Sequence, residues 1–84
     1  MRVLIIDDED KIRALLLKKV ESLLESANVV GEAGSVEEGI AKINELKPDI
    51  VFLDINLTDG SGFDILEEIP NPDFEVIFIT AYDH

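Results

Sequence analysis

Pro48-Asp49-Ile50-Val51-Phe52-Leu53-Asp54-Ile55-Asn56-Leu57 is the stretch from which the rest of the chain can be read. Ile50–Leu53 is apolar at four successive positions, with none of the polar alternation of a half-buried strand. Such a run between a proline and an aspartate reads as a strand covered on both faces. Sheets of that kind are parallel and lie between helices.

Outward from this strand the chain alternates between two periods. Arg2–Asp7 is a second apolar run rich in β-branched residues. From Asp10 to Ser26, Ile12, Leu15, Leu16, Val20, Leu23 and Leu24 recur at helical spacing among charged residues. Val29–Ala33 is a weaker strand. Ser35 and Glu38 have the spacing of a capping box, and Val36, Ile40, Ile43 and Leu46 continue a helix that Pro48 closes. Asp59-Gly60-Ser61-Gly62 reads as a turn, with Ser61 as N-cap of a short helix carrying Phe63, Leu66 and Ile69. Val76–Thr80 is a fourth apolar strand after Pro70 and Pro72. The expected architecture is α/β: one domain over residues 1–84, with four strands, three helices and no internal repeat.

Composition narrows the function. The chain has 84 residues, 19 acidic and 7 basic, for a formal charge of −12. Every Lys and Arg lies at or before Lys47, and nine acidic residues follow Pro48. A direct nucleic-acid binder needs cationic side chains to displace counterions, so that class is set aside. The absence of cysteine excludes disulfides and thiolate metal sites and suits a reducing compartment. The apolar run Val3–Ile6 is too short to span or target a membrane, so a cytoplasmic location is expected.

In an open parallel sheet, ligands sit beyond the carboxyl ends of the strands. The first strand ends in Asp7-Asp8-Glu9, the third in Asp54-Ile55-Asn56 and the fourth in Thr80-Ala81. If the first and third strands are neighbours, three carboxylates meet in one crevice. Their repulsion is relieved by protonation or by a shared cation. An all-oxygen pocket favours a hard ion, Mg²⁺ before Ca²⁺. Taken singly, each feature has a plainer account: Asp7-Asp8-Glu9 as helix capping, Asp54 as a turn residue, Thr80 as a strand former. Their conjunction at one sheet edge favours a site.

These stretches resemble the receiver domains of two-component response regulators. Leu4-Ile5-Ile6-Asp7-Asp8-Glu9, Pro48 to Leu57, Asp59-Gly60-Ser61-Gly62-Phe63-Asp64 and Ile77-Phe78-Ile79-Thr80-Ala81 match in order over the whole chain. The resemblance implies a flavodoxin-like (CheY-like) doubly wound sheet with strand order 2-1-3-4-5, here truncated after the fourth strand. It implies Asp54 as phosphoacceptor, Asp8 as a direct Mg²⁺ ligand, Asp7 as a ligand through water, the Asn56 carbonyl as a further ligand and Thr80 as the switch hydroxyl. A sensor histidine kinase would be the phosphoryl donor. The ending Thr80-Ala81-Tyr82-Asp83-His84 also resembles receivers joined to LytTR-type DNA-binding output domains.

Two departures stand out. Thr58 occupies the usual proline position, and the family's Lys at the end of a fifth strand, with the aromatic switch residue on that strand, lies beyond this sequence. A truncated, phosphorylation-incompetent module, oligomeric through its exposed fourth strand, is therefore a second reading. A flavin-binding module of the same topology is disfavoured because Asp7-Asp8-Glu9 repels phosphate. An Asp-nucleophile hydrolase would want an acid where Asn56 stands. His84 and Tyr82 read as exposed terminal residues.

Overall fold

The computed structural model describes residues 1–79. Its elements are β1 (Arg2–Ile6), α1 (Asp10–Leu23), β2 (Asn28–Ala33), α2 (Val36–Leu46), β3 (Ile50–Asp54), β4 (Asn56–Leu57), β5 (Gly60–Ser61), α3 (Gly62–Glu68) and β6 (Glu75–Ile79). The main sheet is parallel, in the order β2-β1-β3-β6. The expected doubly wound flavodoxin-like architecture is the one observed.

Burial follows from the alternation of side chains along each strand. Leu4, Ile6, Val51 and Leu53 face α2 and α3 and pack with Ile43 and Ile65. Val3 and Ile5 face the other way, toward Val20 of α1, with Ile50 and Phe52 beside them. All four apolar residues of β1 from Val3 to Ile6 are fully buried, as expected of a central strand with both faces covered. The β1–β2 register shifts between Val3 and Leu4, where Gly31 opposes Leu4. A Cβ at Gly31 would come within 2.6 Å of Leu46 Cδ1, so the absent side chain lets the end of α2 lie close to the sheet.

The helix ends are tied by contacts of three kinds. Ser35 Oγ accepts the Glu38 N–H of α2, as its spacing predicts, but the Glu38 carboxylate accepts from Gly34 N–H rather than from Ser35. At the other end of α2, Lys47 adopts the left-handed conformation (φ 50°) and the Arg2 guanidinium donates twice to the Leu46 carbonyl, at 3.0 and 2.6 Å. Ser61 and Asp64 form a reciprocal capping box on α3.

Four details depart from the sequence reading. Helix α1 ends at Leu23, three residues early, and Ala27 N–H closes the following turn on Leu24 O. Residues 56–61 form a two-residue antiparallel ladder, β4 with β5, where only a turn over 59–62 was expected. The side chain that α3 buries completely is Ile65, while Leu66 and Ile69 are partly buried and Phe63 is 52% exposed, its ring 5.3 Å from that of Phe78. The fourth long strand is β6, described to Ile79. Thr80, Tyr82 and His84 lie outside the described residues.

Candidate functional site

The register places the site. Ile6 of β1 pairs with Leu53 of β3, so the next residues, Asp7 just past β1 and Asp54 at the end of β3, stand side by side. Carboxylate oxygens of Asp7, Asp8 and Asp54 all lie within 4.8 Å of one another. Asp7 and Asp54 are almost wholly buried, and Asp8 is half-buried. The three acids expected to meet do meet.

Main-chain groups hold the cluster. Asp7 N–H donates to Ala33 O at 3.0 Å, which continues the β1–β2 pairing one residue past the strand. Glu9 N–H donates to Asp7 Oδ1 at 2.8 Å, and Asn56 N–H donates to Asp54 Oδ1 at 3.2 Å. Asp7 Oδ2 is buried with no hydrogen-bond partner. The capping account of Asp7-Asp8-Glu9 is thereby weakened: Glu9 occupies the N-cap position of α1 without a side-chain cap bond, and the Asp7 carboxylate turns toward Asp54.

Both buried carboxyls sit above the ordinary range. Burial pushes Asp7 up against the pull of the Glu9 N–H; the charge of Asp8 adds to the push and that of Arg13 opposes it. Burial likewise raises Asp54 against the Asn56 N–H, with the charges of Asp7 and Asp8 adding to the rise. A buried carboxylate oxygen without a donor, facing two further acids, is the arrangement a hard cation completes. The donor set, all oxygen and in a pocket partly open through Asp8, fits Mg²⁺.

Asn56 stands on β4 beside Asp54, exposed, and its N–H contact is its described link to the cluster. Thr80 follows β6, whose Ile79 pairs with Asp54, and its own placement is outside the described residues.

Three residues that frame the cluster were not singled out as functional from sequence. Gly62 donates its N–H to Ile55 O at 2.9 Å, and a Cβ there would lie 2.6 Å from the Asp54 carbonyl oxygen, so only glycine lets α3 begin against that backbone. Asp59 reaches across to α2, where its two carboxylate oxygens accept the N–H groups of Val36 (2.7 Å) and Glu37 (3.2 Å). Those donors, the Val36 N–H first, hold the Asp59 carboxyl below its ordinary value. Arg13 extends from α1 to the Asp7 carbonyl. Of these, Gly62 had a local signal, since it sits within the Asp59-Gly60-Ser61-Gly62 turn. The partners of Asp59 come from α2, and Arg13 reaches Glu32 of β2 and the Asp7 carbonyl as well as Asp10 of its own helix.

Comparison with known proteins agrees with this geometry. An uncharacterised response regulatory protein of Vibrio cholerae is 45% identical over 99% of the chain and 35% of its own length. The sensory transduction protein LytT of Bacillus anthracis is 42% identical, over 99% of the chain and 34% of its own length. The chain thus spans about a third of the length of these curated relatives. Among solved structures, the response regulator domain of Thermotoga maritima CheB superposes with a TM-score of 0.87 at 32% identity, covering 96% of this chain and 60% of that one. The response regulator PhyR of Brucella abortus gives 0.85 at 42%, covering 96% and 33%. The family model for the response regulator receiver domain matches residues 3–84, and the chain belongs to that family.

Proposed function

We propose that this receiver accepts a phosphoryl group on Asp54, with Asp7 and Asp8 holding Mg²⁺ beside it. The observation that carries the reading is the convergence of three carboxylates, two of them buried, where β1 and β3 end side by side. Neither capping nor a turn calls for that convergence.

The chemistry follows from the placement. An Asp54 carboxylate oxygen attacks the phosphorus of a phosphohistidine on a sensor kinase; the P–N bond breaks, and the imidazole leaves and takes a proton. Mg²⁺, held by Asp7, Asp8, Asp54 and the Asn56 carbonyl, would offset the negative charge shared by carboxylates and phosphoryl oxygens. The Asn56 N–H bond to Oδ1 orients the Asp54 carboxylate and leaves the attack to its other oxygen. The Thr80 hydroxyl, following β6, would answer the new phosphoryl oxygens and bias the surface that partners read.

The same reading extends to the parent protein. The chain spans about a third of the length of the LytT relatives, which supports a longer protein in which this receiver is joined to an output domain. The lack of cysteine supports a cytoplasmic setting, and no helix among the described residues is long and apolar enough to cross a membrane. Among the described residues β6 pairs on one side only and exposes Ile77 and Phe78, which supports pairing through that edge with a further strand or a second copy.

The test is intact-protein mass after incubation with Mg²⁺ and a small-molecule acyl phosphate. Wild type is expected to gain one phosphoryl group and Asp54→Asn none. A gain that survives Asp54→Asn removes Asp54 as the acceptor.

A further inference from the structure

Arg13 is the cation nearest the acid cluster in the hydrogen-bond network, and its guanidinium has three acceptors. Nη1 donates to the Asp7 carbonyl oxygen at 2.7 Å, Nη2 to Asp10 Oδ1 at 2.5 Å and Nε to Glu32 Oε1 at 3.3 Å. The side chain is only 19% exposed. Gly34 gives it room: a Cβ there would stand 3.2 Å from Nη1. A planar fork with three acceptors, one of them the Asp7 main-chain carbonyl, is held against rotation by the bonds it would have to break.

The Asp7 carbonyl belongs to the planar peptide unit that carries Asp8. Arg13 therefore holds the plane between the two acids, while Ala33 O holds the Asp7 N–H on the other side. With the main chain pinned at both points, the directions in which the Asp7 and Asp8 side chains leave it are set before any ligand arrives.

We infer that Arg13 is a positioning residue for the metal pocket: it holds the Asp7–Asp8 peptide so that both carboxylates converge with Asp54. The inference rests on the Mg²⁺ reading above, and it makes a prediction opposite in sign to that of simple electrostatics. Removing a positive charge near a cation site strengthens cation binding by Coulomb's law alone. Removing a group that preorganises the ligands weakens it, typically by tenfold or more for an outer-shell partner.

The experiment is calorimetric titration of MgCl₂ into the full 84-residue chain as wild type, Arg13→Gln, Arg13→Lys and Glu32→Gln, with a thermal melt of each. Arg13→Gln is expected to bind Mg²⁺ about tenfold more weakly than wild type. Arg13→Lys, with one compact donor group in place of the fork, is expected to fall between the two. Glu32→Gln leaves the Asp7 contact in place and is expected to keep wild-type affinity. In metal-free protein the Asp8 and Glu9 amide resonances are expected to move in Arg13→Gln and to stay in Glu32→Gln.

Unchanged or tighter binding by Arg13→Gln overturns the inference. So does an equal loss in Glu32→Gln, which would make Arg13 a staple between α1 and β2 and nothing more. If Arg13→Gln does not fold, Arg13→Lys decides: weaker Mg²⁺ binding at a wild-type melting temperature supports the assignment, and wild-type affinity overturns it. A wild type that takes up no Mg²⁺ defeats the metal reading itself, and this inference with it.

Discussion

Among the described residues the two faces of the sheet are closed unequally. On the α2/α3 face, eight buried residues form one cluster, from Leu4 and Ile6 through Leu53 to Ile65. On the α1 face the buried set is Val3, Ile5 and Val20, and the helix above it leaves Leu15 and Leu23 exposed, with Leu24 exposed just past its end. Within β1 and β3 the strands are apolar on both sides, so among the described residues the difference lies in what covers them: α2 and α3 on one face and α1 on the other. The better-closed face packs directly beneath Asp54, through Leu53 and the α3 N-terminus at Gly62. A buried carboxylate needs rigid surroundings to stay where its charge is disfavoured, and the thicker face supplies them.

The largest effect tests that contrast directly. Ile65→Ala opens a cavity in the closed face and is expected to cost about 3–4 kcal/mol, a large part of the stability of a small domain. Val20→Ala, on the open face, removes less and leaves a site that solvent and Leu16 can fill; about half that cost is expected. Urea melts of the two variants measure the ratio, and equal costs would mean that the faces are closed alike.

A middle-sized effect concerns the acids. Asp54→Asn removes one charge from a cluster that is repulsive without a cation. It is expected to raise the melting temperature by roughly 5 °C at neutral pH in the presence of a chelator. The sign follows from linkage. Asp7 and Asp54 both hold protons more tightly folded than unfolded, so metal-free wild type gains stability as the pH falls from neutral through their raised values. Asp54→Asn is expected to flatten that slope. A variant no more stable than wild type would show that the cluster carries no repulsive cost.

The smallest effect is on the open face. Leu23, 76% exposed at the end of α1, is expected to tolerate replacement by alanine within about 0.5 kcal/mol. A larger, concentration-dependent loss in an equilibrium melt would show that this end of α1 is covered in solution and would reduce the contrast between the faces.

What the sequence made legible was whatever depends on short-range pattern or on a general rule of sheet topology. Four apolar runs, three helical repeats and the rule that polar residues gather at strand ends were enough to bring Asp7, Asp8 and Asp54 together. The phase of α3 was not legible. A seven-residue helix contains fewer than two turns, too few to fix a face, and Ser61 and the packing of Ile65 against Gly39 set it instead. Leu24 read as part of the α1 stripe because it is apolar, although the helix has already ended. The β4–β5 ladder is too short for any period to reveal. Asp59 takes its partners on α2, and Arg13 reaches Glu32 on β2 besides the nearby Asp7 and Asp10; a one-dimensional pattern does not encode those longer links.

The Asp59 contact has a consequence for how freely its surroundings can vary. Its carboxylate grips two main-chain N–H groups, those of Val36 and Glu37, and neither of their side chains enters the bond. Any residue except proline supplies the same donors. The contact is therefore specified from one end alone: position 59 must keep its acceptor pair, while positions 36 and 37 can drift without loosening it. Residues joined in this way need not change together, so a search for covarying pairs would pass over a link that fastens the loop after Asp54 to the helix across from it.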